Sequence, residues 1–300
     1  MRNELDSAHR RMRRQYGVAT RRQLLAEEGV PASLIDAQLR SGRWEQVVPA
    51  IYRVSGGGVP PQQHLMVAVL RCGKGARLTG ASVFALLSVE GFPLDAPAVV
   101  LMPRRRWIDS GGDFRIHRVP KPPRQDRAKV CGIPAVRPAR ALLDHARVTR
   151  GAALRVAVDA VRRAGLTSPQ RLLDRALAAG NAHGACRVVA AVLSGTFRCE
   201  SEGERKVAAV FYGVEPPLDF NAWLLPGIRV DAVWHDARLV LEYQSRKHHT
   251  LPTDREHDEA RLAKLRAAGY EVVEIWAEDL RDPVGLRARV LALRASRLAG

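Results

Sequence analysis

Ile228-Arg229-Val230-Asp231-Ala232-Val233-Trp234, then His235-Asp236-Ala237, then Arg238-Leu239-Val240-Leu241-Glu242-Tyr243-Gln244 is the stretch that decides the fold. Two apolar-rich runs flank a tight polar turn, which predicts an antiparallel hairpin with strands at 228–234 and 238–243. Each run carries one acid among apolar neighbours. A carboxylate there is costly unless it is paired or metal-bound, so Asp231 and Glu242 stand out. Side chains two apart share a strand face, which puts Glu242 beside Gln244, and the short turn brings Asp231 back towards Glu242.

The flanks extend the pattern. Ser201-Glu202-Gly203-Glu204 is a capping box that opens a helix running to about Phe211. Asp254 to Ala268 predicts a charged helix with Leu262 and Leu265 buried and Gly269 as its stop. Tyr270 to Trp276 predicts one more strand. The order is α-β-β-α-β on a mixed sheet. Hydrolysis of a phosphodiester calls for a hard divalent cation, a positioned water and charge neutralisation. Mg²⁺ takes oxygen ligands, usually one or two carboxylates.

The spacing Asp231, ten residues, Glu242-x-Gln244 resembles the PD-(D/E)XK nuclease signature, and the element order resembles the core of restriction-endonuclease-like folds. The wider text of the last hundred residues adds His248-His249, Asp254 to Arg261 and Gly269-Tyr270-Glu271-Val272. It is similar to a domain family related to very-short-patch-repair endonucleases. The resemblance implies Mg²⁺ or Mn²⁺ held by Asp231, Glu242 and the backbone carbonyl of Tyr243, with Glu204 assisting and Gln244 in the place of the signature lysine. His248 and His249 read as a polar strand exit or as a phosphate or water contact. Asp258 and Arg261 match the family text and are placed to pair locally. Two departures stand: Glu242-Tyr243-Gln244-Ser245 replaces Glu-Tyr-Asp-Gly, and glutamine cannot supply the lysine's positive charge.

Upstream, Thr20 caps a short helix with Leu24 and Leu25 on its buried face, and Pro31 to Arg40 forms a second with Leu34, Ile35 and Leu39 as its apolar stripe. Strands at Trp44 to Val48 and Ile51 to Val54 follow. Helix, turn, helix and two-stranded wing is the winged helix-turn-helix order. Gly56-Gly57-Gly58 then reads as a linker. The middle reads as mixed helix and strand: helices at His64 to Leu70, Ala81 to Leu87, Arg140 to Val148, Ala152 to Ala164 and Pro169 to Leu177, and strands at Ala98 to Met102, Phe114 to Val119 and Ile133 to Val136. Arg140 and Asp144 sit one turn apart and can pair. Lys121 to Lys129 is proline-rich, basic and expected to be exposed.

Gly17-Val18-Ala19-Thr20-Arg21-Arg22-Gln23-Leu24, Ser41-Gly42-x-Trp44, Ile51-Tyr52-Arg53 and Arg137-Pro138-Ala139-Arg140-Ala141-Leu142-Leu143-Asp144 together resemble the AbiEi-like antitoxin family of abortive-infection systems. That resemblance implies duplex DNA as partner. Arg21, Arg22, Ser33, Gln38, Arg40 and Arg43, on or beside the second helix, are the expected contacts. Arg104, Arg105, Arg106, Lys121, Arg124, Arg127 and Lys129 would add phosphate contacts.

Composition agrees with a polyanionic partner. The chain has 300 residues and a net charge of +17 from 48 Lys+Arg against 31 Asp+Glu. Residues 1–60 carry +4, 61–195 carry +14 and 196–300 carry −1. An apolar fraction of 46% excludes global disorder. No apolar run long enough to span a membrane occurs, and Met1 to Thr20 lacks the apolar core of a secretory signal. Four scattered cysteines fit a reduced cytoplasmic protein and give no zinc motif.

The expectation is therefore an α/β multi-domain chain: a winged helix over 1–58, a basic α/β middle domain over 59–195, and a restriction-endonuclease-like α/β domain with a mixed sheet over 196–300. The expected function is DNA binding joined to metal-dependent DNA cleavage in defence or repair. The alternative is a transcriptional regulator or antitoxin-like binder with an inactive nuclease fold. A toxin or defence-system partner protein, or a second copy of the chain, fits either, and a membrane fits neither.

Overall fold

The structure, a computed structural model, describes residues 2–104, 108, 114–119, 124–180, 182, 184–194, 199, 201–244 and 252–299, excepting the side chains of Arg2, Glu202 and 252–258. The chain is mixed α/β and packs as two units, Met1–His145 and Ala146–Gly300.

The first unit starts with α1 (Arg2–Arg14), β1 (Val18–Thr20), α2 (Arg21–Ala26), α3 (Ala32–Arg40), β2 (Trp44–Val48) and β3 (Ile51–Val54). The strands form an antiparallel sheet in the order β1-β3-β2. Thr20 caps α2 by accepting from the Gln23 amide, and the Gln23 side chain returns to the Thr20 amide. Ala8, Met12, Leu24, Ile35 and Trp44 fill the space between helices and sheet. Leu25, expected on the buried face of α2, is 38% exposed. A helix this short buries a narrow stripe, and Leu24 takes it. Ala50, in the β2–β3 turn, has a φ of +60°, a left-handed value that glycine adopts more readily.

Next come α4 (Gln63–Cys72), β4 (Arg77–Leu78), α5 (Ala81–Leu86), β5 (Ala98–Pro103), β6 (Phe114–Val119), β7 (Arg127–Val130), β8 (Ile133–Val136) and α6 (Pro138–His145). Their five-stranded sheet has the order β6-β5-β4-β8-β7 and mixes parallel and antiparallel pairs. Part of the segment expected as an exposed basic loop is strand β7, paired through Lys129 opposite Pro134. One ionic network ties this sheet to α6. Arg140 donates to Asp144 at 3.0 Å and to Asp126 at 3.1 Å, and Asp144 also accepts from the Thr79 hydroxyl at 2.6 Å. Asp126, Asp144 and Thr79 are nearly fully buried, so the guanidinium supplies the counter-charge that the two acids need.

The second unit contains α7 (Gly151–Arg163), α8 (Pro169–Ala178), α9 (Ala185–Leu193), α10 (Glu202–Val210), β9 (Asp219–Leu225), β10 (Ile228–Trp234), β11 (Leu239–Gln244), α11 (Pro252–Ala267), β12 (Glu271–Trp276) and α12 (Pro283–Ala299). The packing divides the chain after His145, whereas the composition shift pointed to residue 195. The reason is that α8 and α9 pack on α10 as well as on each other, so they share its unit. The sheet order is β12-β11-β10-β9, with β11 and β12 parallel and the other pairs antiparallel. The expected hairpin forms, with Ala232 opposite Leu241 and Trp234 opposite Leu239. Strand β9 is an addition to the expected order. Val233, Val240 and Val272 pack with Leu262 and Leu265 of α11. Trp234 meets Phe211 edge-on at 5.2 Å and is covered by the Arg294 guanidinium at 5.0 Å.

Candidate functional site

The hairpin delivers its two acids to the point where β10 and β11 stop pairing. Regular pairing ends at Ala232 and Leu241. Beyond it, the Tyr243 amide donates to Asp231 Oδ2 at 2.8 Å, so a side chain takes the bond that a backbone carbonyl would otherwise accept. Glu242 is 5% exposed. Arg261, from α11, grips it with two nitrogens, at 3.2 Å to Oε1 and 2.9 Å to Oε2, and also donates to the Arg229 carbonyl at 3.1 Å.

Glu204 enters from the first turn of α10, where the capping box fixes it. Its Oε1 accepts the Ser201 amide at 3.1 Å, and its Oε2 accepts from Asn221 of β9 at 2.8 Å. Asn221 in turn accepts from Arg229 at 2.6 Å. Glu204 is 6% exposed.

The electrostatics are those of crowded acids. Burial pushes the Asp231 carboxyl above its ordinary range, and the nearby Glu204 adds to the rise against the Tyr243 amide, Arg261 and Arg229. Burial likewise raises Glu242. Arg261 opposes that shift, while the neighbouring Asp231 reinforces it. Glu204, Asp231 and Glu242 therefore form one chain of electrostatic contacts, with Arg261 as its principal counter-charge.

Gln244 ends strand β11 and bonds to the neighbouring strand. Its amide donates to Glu274 of β12 at 3.2 Å. His248 and His249 lie outside the described residues, as does the side chain of Asp258. The local Asp258–Arg261 pairing is thus not described; Arg261 spans to the sheet. Asn221, Arg229 and Glu274 were not among the expected site residues. Asn221 and Glu274 come from strands that only the sheet brings alongside, whereas Arg229 lies two residues before Asp231 on the same strand face, a signal the hairpin's period already held.

The donor chemistry of Asp231 and Glu242 fits a hard cation: both are carboxylates, Glu242 buried and Asp231 partly buried, and the Asp231 charge raises the cost of ionising Glu242. The arrangement places Arg261 on both oxygens of Glu242. Among the described residues, no group of three or more His, Cys, Asp or Glu side chains converges closely enough to hold a metal ion.

The expected DNA contacts divide by exposure. Arg22, Ser33, Arg40 and Arg43 are exposed. Gln38 is 7% exposed, because it lies on the face of α3 that packs inward with Ile35, so the fold withdraws it from any contact role. Arg21 pairs with Asp36 at 2.7 Å, an interaction that holds its guanidinium firmly charged. In the middle sheet Arg104, Arg124 and Lys129 are exposed and Arg127 is half-buried. Arg105, Arg106 and Lys121 lie outside the described residues. Among the described residues no helix is long and apolar enough to cross a membrane.

No family model matches the chain. Two uncharacterized proteins of Mycobacterium tuberculosis, MT2308 from strain CDC 1551 / Oshkosh and Rv2248 from strain H37Rv, are each 40% identical to it over 74 residues. The match covers 24% of this chain and 27% of either relative, so the chain spans about a quarter of the length of the curated relatives it matches. Among solved structures, the Rv2827c protein from Mycobacterium tuberculosis aligns with a TM-score of 0.44 at 21% identity, covering 69% of this chain and 81% of that one.

Proposed function

We propose that this chain is a cytoplasmic DNA-binding protein whose C-terminal unit carries a metal-dependent phosphodiesterase site of the restriction-endonuclease type. The observation that carries the proposal is the pair of acids where two central strands part, Glu242 buried and Asp231 partly buried, with Glu204 close enough to act on Asp231 electrostatically. Burying that much like charge is unfavourable, and a site that takes a cation is the common reason for it. Asp231, Glu242 and the Tyr243 carbonyl would hold Mg²⁺ or Mn²⁺, which supplies charge neutralisation at the phosphate. Glu204 orients Asn221 and supports Asp231. For the metal to reach Glu242, Arg261 must release it. The freed guanidinium can then face a phosphate and supply the positive charge that Gln244 lacks.

Duplex DNA as partner is supported by the net charge of +17 and by the exposed Arg22, Arg40 and Arg43 around α3. Four free cysteines agree with a reducing compartment. A regulator or antitoxin-like binder is the second reading, with a toxin or a second copy as companion. The two-pronged Arg261–Glu242 pair favours it, since it neutralises Glu242 without a metal.

Supercoiled plasmid incubated with the protein and Mg²⁺ or Mn²⁺, beside Asp231→Ala, decides between the two. Nicking that disappears in the variant supports the nuclease. Absence of nicking with both metals, or nicking that persists in Asp231→Ala, leaves the regulator.

A further inference from the structure

We propose that the second unit also holds a nucleotide-sized pocket, and that its occupant is a single nucleotide unstacked from bound DNA. The inference deepens the nuclease reading and rests on it for the source of the nucleotide. A cavity of about 480 Å³ opens beside the carboxyl ends of β11 and β12, bounded there by Tyr243 and Ala277. That volume lies in the range of small-ligand sites. Its position is also the general one for α/β sheets, where ligands lie beyond the carboxyl ends of parallel strands.

The lining is cationic and apolar at once. Arg205 and Lys206 come from the first half of α10, and Arg281 from the turn after β12. No acid lines it among the described residues. Helix α8 ends and helix α9 begins at the same cavity, so their termini carry opposite partial charges and the net field there comes from the three cations. Leu177, Val189 and Leu280 supply apolar wall. Three cations suit a phosphate, and the apolar wall with an aromatic ring suits a base.

Tyr243 is the ring, and the chain fixes it in place. Residue 203 has no side chain, and a Cβ there would overlap the Tyr243 ring. Gly203 thus lets α10 lie against the ring. Glu204 and Arg205 follow directly, so one helical turn serves the carboxylate site with Glu204 and the cavity with Arg205 and Lys206. Tyr243 sits between Glu242 and Gln244 on β11, which links the two sites through one strand end.

Isothermal titration calorimetry on the full chain in EDTA, with 5′-dAMP, 5′-dTMP and inorganic phosphate as probes, tests the proposal. Saturable binding of the mononucleotides is expected, with the matching nucleosides and inorganic phosphate each weaker by about tenfold or more. Ala179→Trp, which fills the cavity, and Arg281→Glu, an exposed change that spares the core, should each weaken the mononucleotides by about tenfold. No saturable binding overturns the proposal. Inorganic phosphate binding as tightly as the nucleotides reduces the cavity to an anion site and overturns it too, as does affinity unchanged in both variants. A chain that binds nucleotide but never nicks plasmid keeps the pocket and loses the nuclease.

Discussion

Arg261 of the last long helix before β12 reaches both carboxylate oxygens of Glu242, at 3.2 and 2.9 Å, across 19 residues of sequence. Glu242 is almost wholly buried and Arg261 about a quarter exposed. The pair places one positive charge against the two most strongly desolvated acids of the hairpin, and this sets how the site responds to substitution, metal and pH.

Removing the guanidinium strands a buried acid. Arg261→Ala should destabilise the second unit by about 2–3 kcal/mol, less than a fully buried pair because Arg261 is partly wet. Arg261→Ala combined with Glu242→Gln should recover a large part of that loss. Urea melts of the single and double variants give the comparison, and a double variant as unstable as Arg261→Ala would show that the pairing is not the cause.

The same substitution separates the two functional readings. If Asp231 and Glu242 form a cation site guarded by Arg261, Arg261→Ala should bind Mn²⁺ more tightly than the parent chain, by about tenfold. Calorimetric titration with MnCl₂ measures it. Equal or weaker Mn²⁺ binding in the variant counts against a cation site.

The acids also fix a pH dependence. Asp231 and Glu242 have raised folded-state pKa values, chiefly from burial, so the folded chain holds their protons more tightly than the unfolded one. Stability should therefore fall as pH rises from the ordinary carboxylate range through the raised values. Asp231→Asn keeps an acceptor for the Tyr243 amide and removes the charge. Its melting temperature should exceed the parent's at pH 7, and the gap should close as pH drops below the ordinary carboxylate range. A gap that persists unchanged at low pH would contradict the electrostatic cause.

Close packing of α10 on β11 depends on Gly203. Gly203→Ala should cost about 1–3 kcal/mol through overlap with the Tyr243 ring. Pairing it with Tyr243→Leu should restore part of the loss. Thermal melts of the three variants provide the check.

DNA affinity should fall steeply with salt. Replacing Arg22, Arg40 and Arg43 together by Ala should weaken binding at every sequence and lower the slope of log affinity against log salt by about 3. Gel shifts at several salt concentrations measure the slope. A triple variant with an unaltered slope would remove α3 from the interface.

Much of the fold was legible where period and punctuation agree. Strands 44–48, 51–54, 114–119, 133–136 and 228–234 form as read. Ser201 and Glu204 form the capping box that their spacing announces. Besides β7, α9 and α12, four elements escaped notice for physical reasons. β1 and β4 have three and two residues, too few for alternation to register. β9 passes through Asn221 at a φ of +58°, which breaks its regularity. α1 does mark an apolar face, with Leu5, Ala8 and Met12 packed inward, but its remaining positions are so charged that the stretch reads as a polar leader.

The site divides in the same way. Turn length and strand period place Asp231 near Glu242, because both are local properties of fifteen or so residues. What Arg261 does, and that Gln244 turns to Glu274, follows from which face of a helix meets which strand. Local sequence sets the period of a helix, but its rotation against a sheet is settled by the apolar packing of Leu262 and Leu265 under Val240 and Val272. Sequence alone thus determined the acids and the hairpin that carries them. Tertiary packing decided their counter-charge, and with it whether the cluster meets a guanidinium or a metal.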